Sequence, residues 1–235
     1  MSAAVRLDRL LANLGYGSRR EVTPIIKGGR VTVADATARD PNAKVLAHDV
    51  RLDGEELDHP DGILVMLNKP IGVVCSHEPS EGLRAYDLLP PHWEYRNPRV
   101  ESVGRLDKDT SGLLVLTDDH RLLHRLTSPK HHVVKRYEAT LTLPYDATLG
   151  ERLASGTLVL DGESTPCLPA SVELVDAHVP TVAISLTEGR YHQVRRMVAA
   201  CGNHVDTLRR THFGAWSLDD LPEGTWTDIA ISKAR

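Results

Sequence analysis

The run Gly104-Arg105-Leu106-Asp107-Lys108-Asp109-Thr110-Ser111-Gly112-Leu113-Leu114 constrains this chain more than any other segment. A polar stretch bracketed by glycines and followed at once by leucines reads as a tight turn feeding a buried strand. Glycine lets the backbone turn sharply and approach a neighbour or a ligand closely. The pattern puts the carboxylate of Asp107 in that turn, with Arg105 two residues upstream. Aspartate is a common turn former, so the turn leaves two readings open: a structural carboxylate or a nucleophile.

The segments on either side give the organisation. Leu7, Leu10, Leu11 and Leu14 fall on one helix face, and Gly15 suits the end of that helix. Ser18 with Glu21 three residues on is a capping-box pattern opening a second helix. Pro24 should kink or shorten it, and Gly28-Gly29 ends it. Arg30–Val33 and Val50–Leu52 read as short strands. The acidic stretch Asp53–Gly62 reads as a connector between domains.

Beyond it, Ile63–Leu67 is a buried strand broken by Asn68-Lys69-Pro70, and Leu113–Leu116 is another. Thr117 or Asp118 should cap a helix that ends near Thr127. Tyr137, Ala139, Leu141 and Leu143 alternate with polar residues, as do Val182, Ile184 and Leu186, giving half-buried strands. A helix is expected from about Tyr191 to Cys201, with Gly202 at its end. The expectation is an α+β chain: a small helical module over 1–58, then a domain over 62–235 with a largely antiparallel sheet and flanking helices. Trp93, Trp216 and Trp226 read as packing anchors.

Composition narrows the function classes. Apolar residues make up 41% and charged residues 26%, as in ordinary globular proteins, but aromatics are 4% with a single Phe, so the core must be Leu, Val, Ile and Ala. No apolar run reaches the roughly 18 residues that span a membrane. Three scattered cysteines fit reduced thiols and a cytoplasmic location better than a disulfide framework. There is no Cys-x-x-Cys pair, and the 12 histidines have no carboxylate or cysteine at ligand spacing, so no metal is expected. Net charge is −4, yet residues 1–30 hold six Lys/Arg against Asp8 and Glu21. Residues 120–137 hold Arg121, Arg125, Lys130, Lys135 and Arg136 with no acid. A basic face on an acidic body is compatible with a nucleic-acid partner.

Four segments occur in one order: Asn68-Lys69-Pro70-Ile71-Gly72, the Asp107 turn, Lys135-Arg136-Tyr137, and Glu188-Gly189-Arg190-Tyr191-His192-Gln193-Val194-Arg195-Arg196-Met197. Together they resemble the pseudouridine synthases, specifically the RsuA branch that modifies ribosomal RNA. Residues Arg6-Leu7-Asp8, Ser18-Arg19-Arg20 and Gly29-Arg30-Val31-Thr32-Val33 resemble an S4 domain, a small RNA-binding module. The resemblance implies isomerisation of a uridine in 16S rRNA, at uridine 516 in RNA numbering, within a small-subunit assembly intermediate. It implies no cofactor, and a monomer is the default. Alternatives are a 23S rRNA site of a sister branch, or a non-catalytic S4-type RNA-binding protein.

Residue by residue, the resemblance makes Asp107 the nucleophile and Arg195 the cation beside it. It makes Tyr137 the residue that packs against a flipped base, stacking or taking a proton. Arg105 would fill the space left by the extruded base, or form an ion pair with Asp109 or Glu101. Lys69 with Pro70 would shape the pocket floor, Arg190 would contact substrate, and Arg19, Arg20, Lys27 and Arg30 would hold phosphates. His192 and Gln193 read as supporting positions. Whether Asp107 attacks the pyrimidine C6 or the sugar C1′ stays open.

Overall fold

The computed structural model describes residues 4–230. The chain forms two compact units. The first takes the residues up to Leu64 together with Leu89–Glu101 and Leu116–Leu123; the second takes Val65–Leu88, Ser102–Val115 and the chain from His124 on.

In the first unit the leucine stripe does what its spacing implies. Helix α1 (Leu7–Asn13) buries Leu7, Leu10 and Leu11, and Leu14 comes next at 5% exposure. Gly15 then turns the chain with φ of +88°, and a Cβ there would lie 2.1 Å from the His92 carbonyl oxygen. Helix α2 (Arg19–Lys27) opens with the expected capping box: Ser18 Oγ accepts from the Glu21 amide, and Glu21 Oε2 accepts from the Ser18 amide at 2.7 Å. Pro24 neither ends nor visibly shortens this helix. Proline withholds one backbone donor, but Val22 and Ile26 on either side are wholly buried, and packing outweighs the single lost bond.

Two hairpins complete this module. Val31–Val33 pairs with Ala36–Ala38 through Ala34-Asp35, and Val50–Leu52 pairs with Glu55–Glu56 through Asp53-Gly54. All four turn residues have positive φ, the requirement of a type I′ turn. The acidic stretch read as a connector is therefore structured in its first half. Its second half is anchored as well: Asp58 accepts from Trp93 Nε1 at 2.5 Å and contacts His92 Nε2 at 2.7 Å.

Arg96 and Asp118 form a buried ion pair, Nε to Oδ2 3.1 Å, and Asp118 Oδ1 accepts from the Ile63 amide at 2.7 Å. Thr117 Oγ1 donates to the Ile63 carbonyl. Neither residue caps the next helix, α3 (His120–Thr127). That role falls to Asp119, whose Oδ1 accepts from the amides of Arg121 and Leu122.

Among the described residues, a nine-stranded sheet runs in the order Ser171–Asp176, Thr181–Leu186, Lys135–Leu141, Val205–Phe213, Thr110–Thr117, Leu64–Lys69, Trp226–Asp228. Two short strands pair beside this path. It is largely antiparallel, but Val205–Phe213 runs parallel to Thr110–Thr117. The alternation read in the sequence sets its core: Ala139, Leu141, Val182, Ile184 and Leu186 pack with Leu149 and Leu153 of α4 (Ala147–Ala154) and with Val194, Met197 and Val198 of α5 (Gln193–Ala200). The first central strand does not break at Asn68-Lys69; it continues through both and stops at Pro70.

Two irregularities prepare the site. Lys135 lies opposite Phe213, and Arg136 opposite His212, but Tyr137 lies opposite Arg210. Thr211 has no counterpart, so the strand bulges there. A bulge reverses the facing of the residues beyond it, which puts Arg210 and Phe213, three residues apart, on one face with Lys135 and Tyr137. Gly112 pairs with Arg210 across the parallel join. A Cβ on Gly112 would sit 2.2 Å from the Arg210 carbonyl oxygen and 2.7 Å from its nitrogen.

Candidate active site

A cleft of about 680 Å³ opens in the second unit, and the Asp107 turn forms one wall. Backbone contacts hold that turn on every side. Leu106 is buried with its amide directed at Cys75 Sγ, the Lys108 carbonyl accepts from Gly72, and the Thr110 amide donates to the Asp107 carbonyl at 3.0 Å. Asp107 itself is half-buried and carries no side-chain duty in the turn. Its Oδ1 lies 3.4 Å from Nε2 of His192. His192 occupies the left-handed region at the start of α5 and stacks on Tyr191, ring centroids 3.9 Å apart. Tyr191 is three-quarters exposed at the cleft.

Of the residues expected from sequence, Asp107, Tyr137, Arg105 and Arg190 line the cleft together. Arg105 is exposed and makes no hydrogen bond or ion pair among the described residues. Arg190 is fully engaged by the protein itself: Glu163, Glu188 and the carbonyls of Thr165 and Pro166 take its guanidinium. It shapes the loop around the cleft and has little left to offer RNA. Gln193 braces the same loop through the Arg190 amide and Glu188.

Arg195 engages the Asp107 turn through Asp109. Its Nη2 bonds the carbonyl of Asp109 at 3.1 Å and pairs with its carboxylate at 3.2 Å, while Nη1 donates to the Val205 carbonyl at 2.8 Å. It clamps the turn two residues past the nucleophile candidate, and it takes Asp109, one of the partners expected for Arg105. Lys69 lies in the interior, within electrostatic reach of Asp107 and Asp109. It is wholly buried, with Nζ donating to the carbonyls of Pro70 and Val73, and burial pushes its pKa down.

In the first unit, Arg19 pairs with Asp8 at 2.7 Å and Arg30 with Asp53 at 2.5 Å. Arg20 and Lys27 are exposed with side chains unpaired among the described residues. Both are open to phosphate.

Three pocket residues escaped the sequence reading. Arg210 is buried to 1% exposure, and Nε donates to the Leu113 carbonyl at 2.7 Å. Lys135, named above only within a motif and a basic run, donates from Nζ to the Val133 carbonyl at 3.1 Å. Burial first, and Arg210 second, bring its pKa down to about 8, with Glu188 opposing. Phe213 faces both, 5.2 Å from Arg210 Cζ and 5.7 Å from Lys135 Nζ. Only the spacing of Leu208 and Phe213, odd for one strand face, could have signalled the bulge that gathers them.

Comparison with known proteins places this geometry. Residues 63–200 match the RNA pseudouridylate synthase family, and residues 5–50 match the S4 domain. An uncharacterised RNA pseudouridine synthase of Bacillus subtilis (strain 168) is 40% identical, with 96% of this chain and 95% of that protein aligned. The ribosomal small subunit pseudouridine synthase A of Escherichia coli (strain K12) is 41% identical over 96% of each. The crystal structure of a pseudouridylate synthase superposes with a TM-score of 0.67 at 33% identity, covering 99% of this chain and 98% of that one. A carboxylate fixed in a glycine-bounded turn, set in a cleft with a tyrosine, thus lies within a sequence matched along nearly its full length, and the chain belongs to the RNA pseudouridylate synthase family of isomerases, with an S4 domain at its N-terminus.

Proposed function

We propose that the protein converts a uridine of 16S rRNA to pseudouridine, at uridine 516 in RNA numbering, acting on a small-subunit assembly intermediate. The observation that carries this reading is the Asp107 carboxylate. It is fixed by its neighbours' backbone contacts, bears no structural load, and shares a half-enclosed cleft with Tyr137. The likeness to small-subunit synthases supports the choice of RNA.

The reaction breaks a C–N glycosidic bond, turns the base and closes a C–C bond. Nothing enters or leaves overall, so the protein needs no cofactor for it. A base inside RNA must first be drawn out of its stack, and a basic, aromatic-edged cleft suits that guest. Asp107 attacks at C6 or at C1′. Tyr137 lies against the base, where an aromatic ring with a polar tip serves both packing and hydrogen bonding. Arg105 occupies the position vacated in the RNA, and Arg195 keeps the Asp107 turn in place through Asp109. Residues 1–58 dock RNA by phosphate contacts, which position without specifying sequence, and residues 62–235 carry out the chemistry.

The test is tritium release from C5-labelled uridine in small-subunit rRNA, with wild type and Asp107→Asn side by side. Release by wild type alone, with RNA affinity of the variant within about threefold, is expected. Equal release by both would remove Asp107 from the chemistry. Release only from large-subunit RNA would move the substrate, and binding without release from either RNA would leave a pure binding protein.

A further inference from the structure

We propose that Arg210 and Lys135 form an electrostatic subsite that stabilises the negative charge developing on the uracil ring during isomerisation. The proposal rests on the reading of the cleft as a uridine-isomerising site, and it adds two residues that this reading does not require.

Besides exposed Arg105, two cations in the cleft, Arg210 and Lys135, lack counter-charges among the described residues. Buried charges in folded proteins are paired, and each exception calls for an explanation. Arg210 is 1% exposed, yet it meets no carboxylate among the described residues. One of its nitrogens is satisfied by the Leu113 carbonyl, while Nη2 is buried with no acceptor. Lys135 has a single carbonyl partner and likewise no carboxylate. The nearby acid, Glu188, is already engaged by Arg190, Gln193 and the Leu168 amide. Thr110 Oγ1, buried beside the Asp107 turn, also lacks a partner. All of these side chains line the one cleft.

Stability does not explain the arrangement. Apolar residues of similar volume usually match or exceed the stability of buried charges, and these charges meet only carbonyls, with no carboxylate beside them. The bulge at Thr211 is what turns Arg210 to the cleft face alongside Lys135, Tyr137 and Phe213. Such bulges recur next to active sites, where they re-aim a side chain.

The chemistry supplies the missing anion. When the N1–C1′ bond breaks, its electron pair stays with the base, and the charge is shared by N1, O2 and O4. C5 then bonds C1′, the C5 proton passes to a base, and N1 regains a proton, so composition is unchanged. If the Asp107 carboxylate first adds at C6, negative charge again spreads through C5 to O4. On either route the base gains charge inside the half-enclosed cleft. Fixed donors there act more strongly than in bulk solvent and need no reorganisation. The aromatic face of Phe213, with both cations close to it, helps hold them while the cleft is empty.

The experiment measures single-turnover isomerisation at saturating small-subunit rRNA, RNA affinity by filter binding, and thermal melting, for full-length wild type, Arg210→Gln, Arg210→Lys and Lys135→Gln. The expected result is a rate loss of roughly 100- to 1,000-fold for both Gln variants, the scale of removing one charge-stabilising donor, with affinity within about threefold. Arg210→Lys should recover at least about tenfold of the lost rate, because it restores charge without the fork. Should Arg210→Gln melt below the assay temperature, half-buried Lys135 carries the test. Rates within about threefold of wild type would overturn the proposal. So would a loss that tracks affinity and lowers its salt dependence, because the subsite would then hold a backbone phosphate. A wild type that forms no pseudouridine would instead overturn the functional reading, and this subsite with it.

Discussion

Replacing Gly112 with alanine should destabilise the catalytic unit by about 3 kcal/mol, and the structure allows the figure to be divided. Gly112 has φ of +107°, and an L-residue held at positive φ costs about 1–2 kcal/mol. The added Cβ would lie 2.2 Å from the Arg210 carbonyl oxygen and 2.7 Å from its nitrogen. Both are backbone atoms in a parallel ladder, so neither can swing aside, and forcing a methyl into filled space costs about 1–3 kcal/mol. The less flexible unfolded chain returns about 0.5 kcal/mol of this. Gly104 is the internal control: its φ is +72°, and a Cβ there would meet nothing within 4 Å. Gly104→Ala should therefore cost only about 1 kcal/mol. In thermal melting, at about 2–4 °C per kcal/mol for a unit of this size, Gly112→Ala should fall by roughly 6–12 °C and Gly104→Ala by roughly 2–4 °C. Equal shifts would show that φ alone matters and that the close approach of the two strands is not a constraint.

Three further outcomes are expected from contacts in the two units. Asp118→Asn leaves the buried Arg96 without its counter-charge, and removing one partner of such a pair costs about 3–5 kcal/mol; urea unfolding of the first unit within about 1 kcal/mol of wild type would refute the assignment. Removing the exposed cations in Arg20→Ala/Lys27→Ala should weaken RNA binding and flatten its log–log salt dependence by about two, while the rate at saturating RNA stays within about twofold. Lys135 titrates at about 8 because burial, then Arg210, disfavours its charge against the pull of Glu188; the cleft also presents Asp107, Arg105, Arg190 and His192. Between about pH 8 and the usual lysine value near 10.4, the folded chain binds fewer protons than the unfolded one, so stability rises with pH there. The rate should move the opposite way, falling about tenfold per unit above pH 8, and Lys135→Gln should abolish that limb; a wild-type profile flat from about pH 7 to 10 would contradict it.

Much of the fold was legible because it is written locally. The leucine stripe of α1, the Ser18–Glu21 box and the alternation through Tyr137–Leu141 each report a backbone conformation from neighbours in sequence. The misreadings have a common cause in contacts distant along the chain. Pro24 is tolerated because Val22 and Ile26 are buried by other elements. Asp118 is drawn from its cap by Arg96 and the Ile63 amide, leaving the cap to Asp119. At the site, the turn around Asp107 could be read from its glycines, whereas Arg195 reaching Asp109, and Arg210 turning into the cleft, depend on strand register and a bulge that no short motif encodes.

The composition of the first unit bears on how the protein is made. Trp93, Arg96 and Asp118 belong to it, and Asp58 bonds the Trp93 indole. A nascent chain of 58 residues therefore holds the S4-like helices and hairpins but lacks some of the side chains that complete their unit. On a ribosome the N-terminal module can close fully only after residue 123 has emerged, by which point the Asp107 turn has also been synthesised. Maturation of the S4-containing unit and appearance of the Asp107 turn are thus linked in time, and limited proteolysis of stalled nascent chains should find the module resistant only beyond that length.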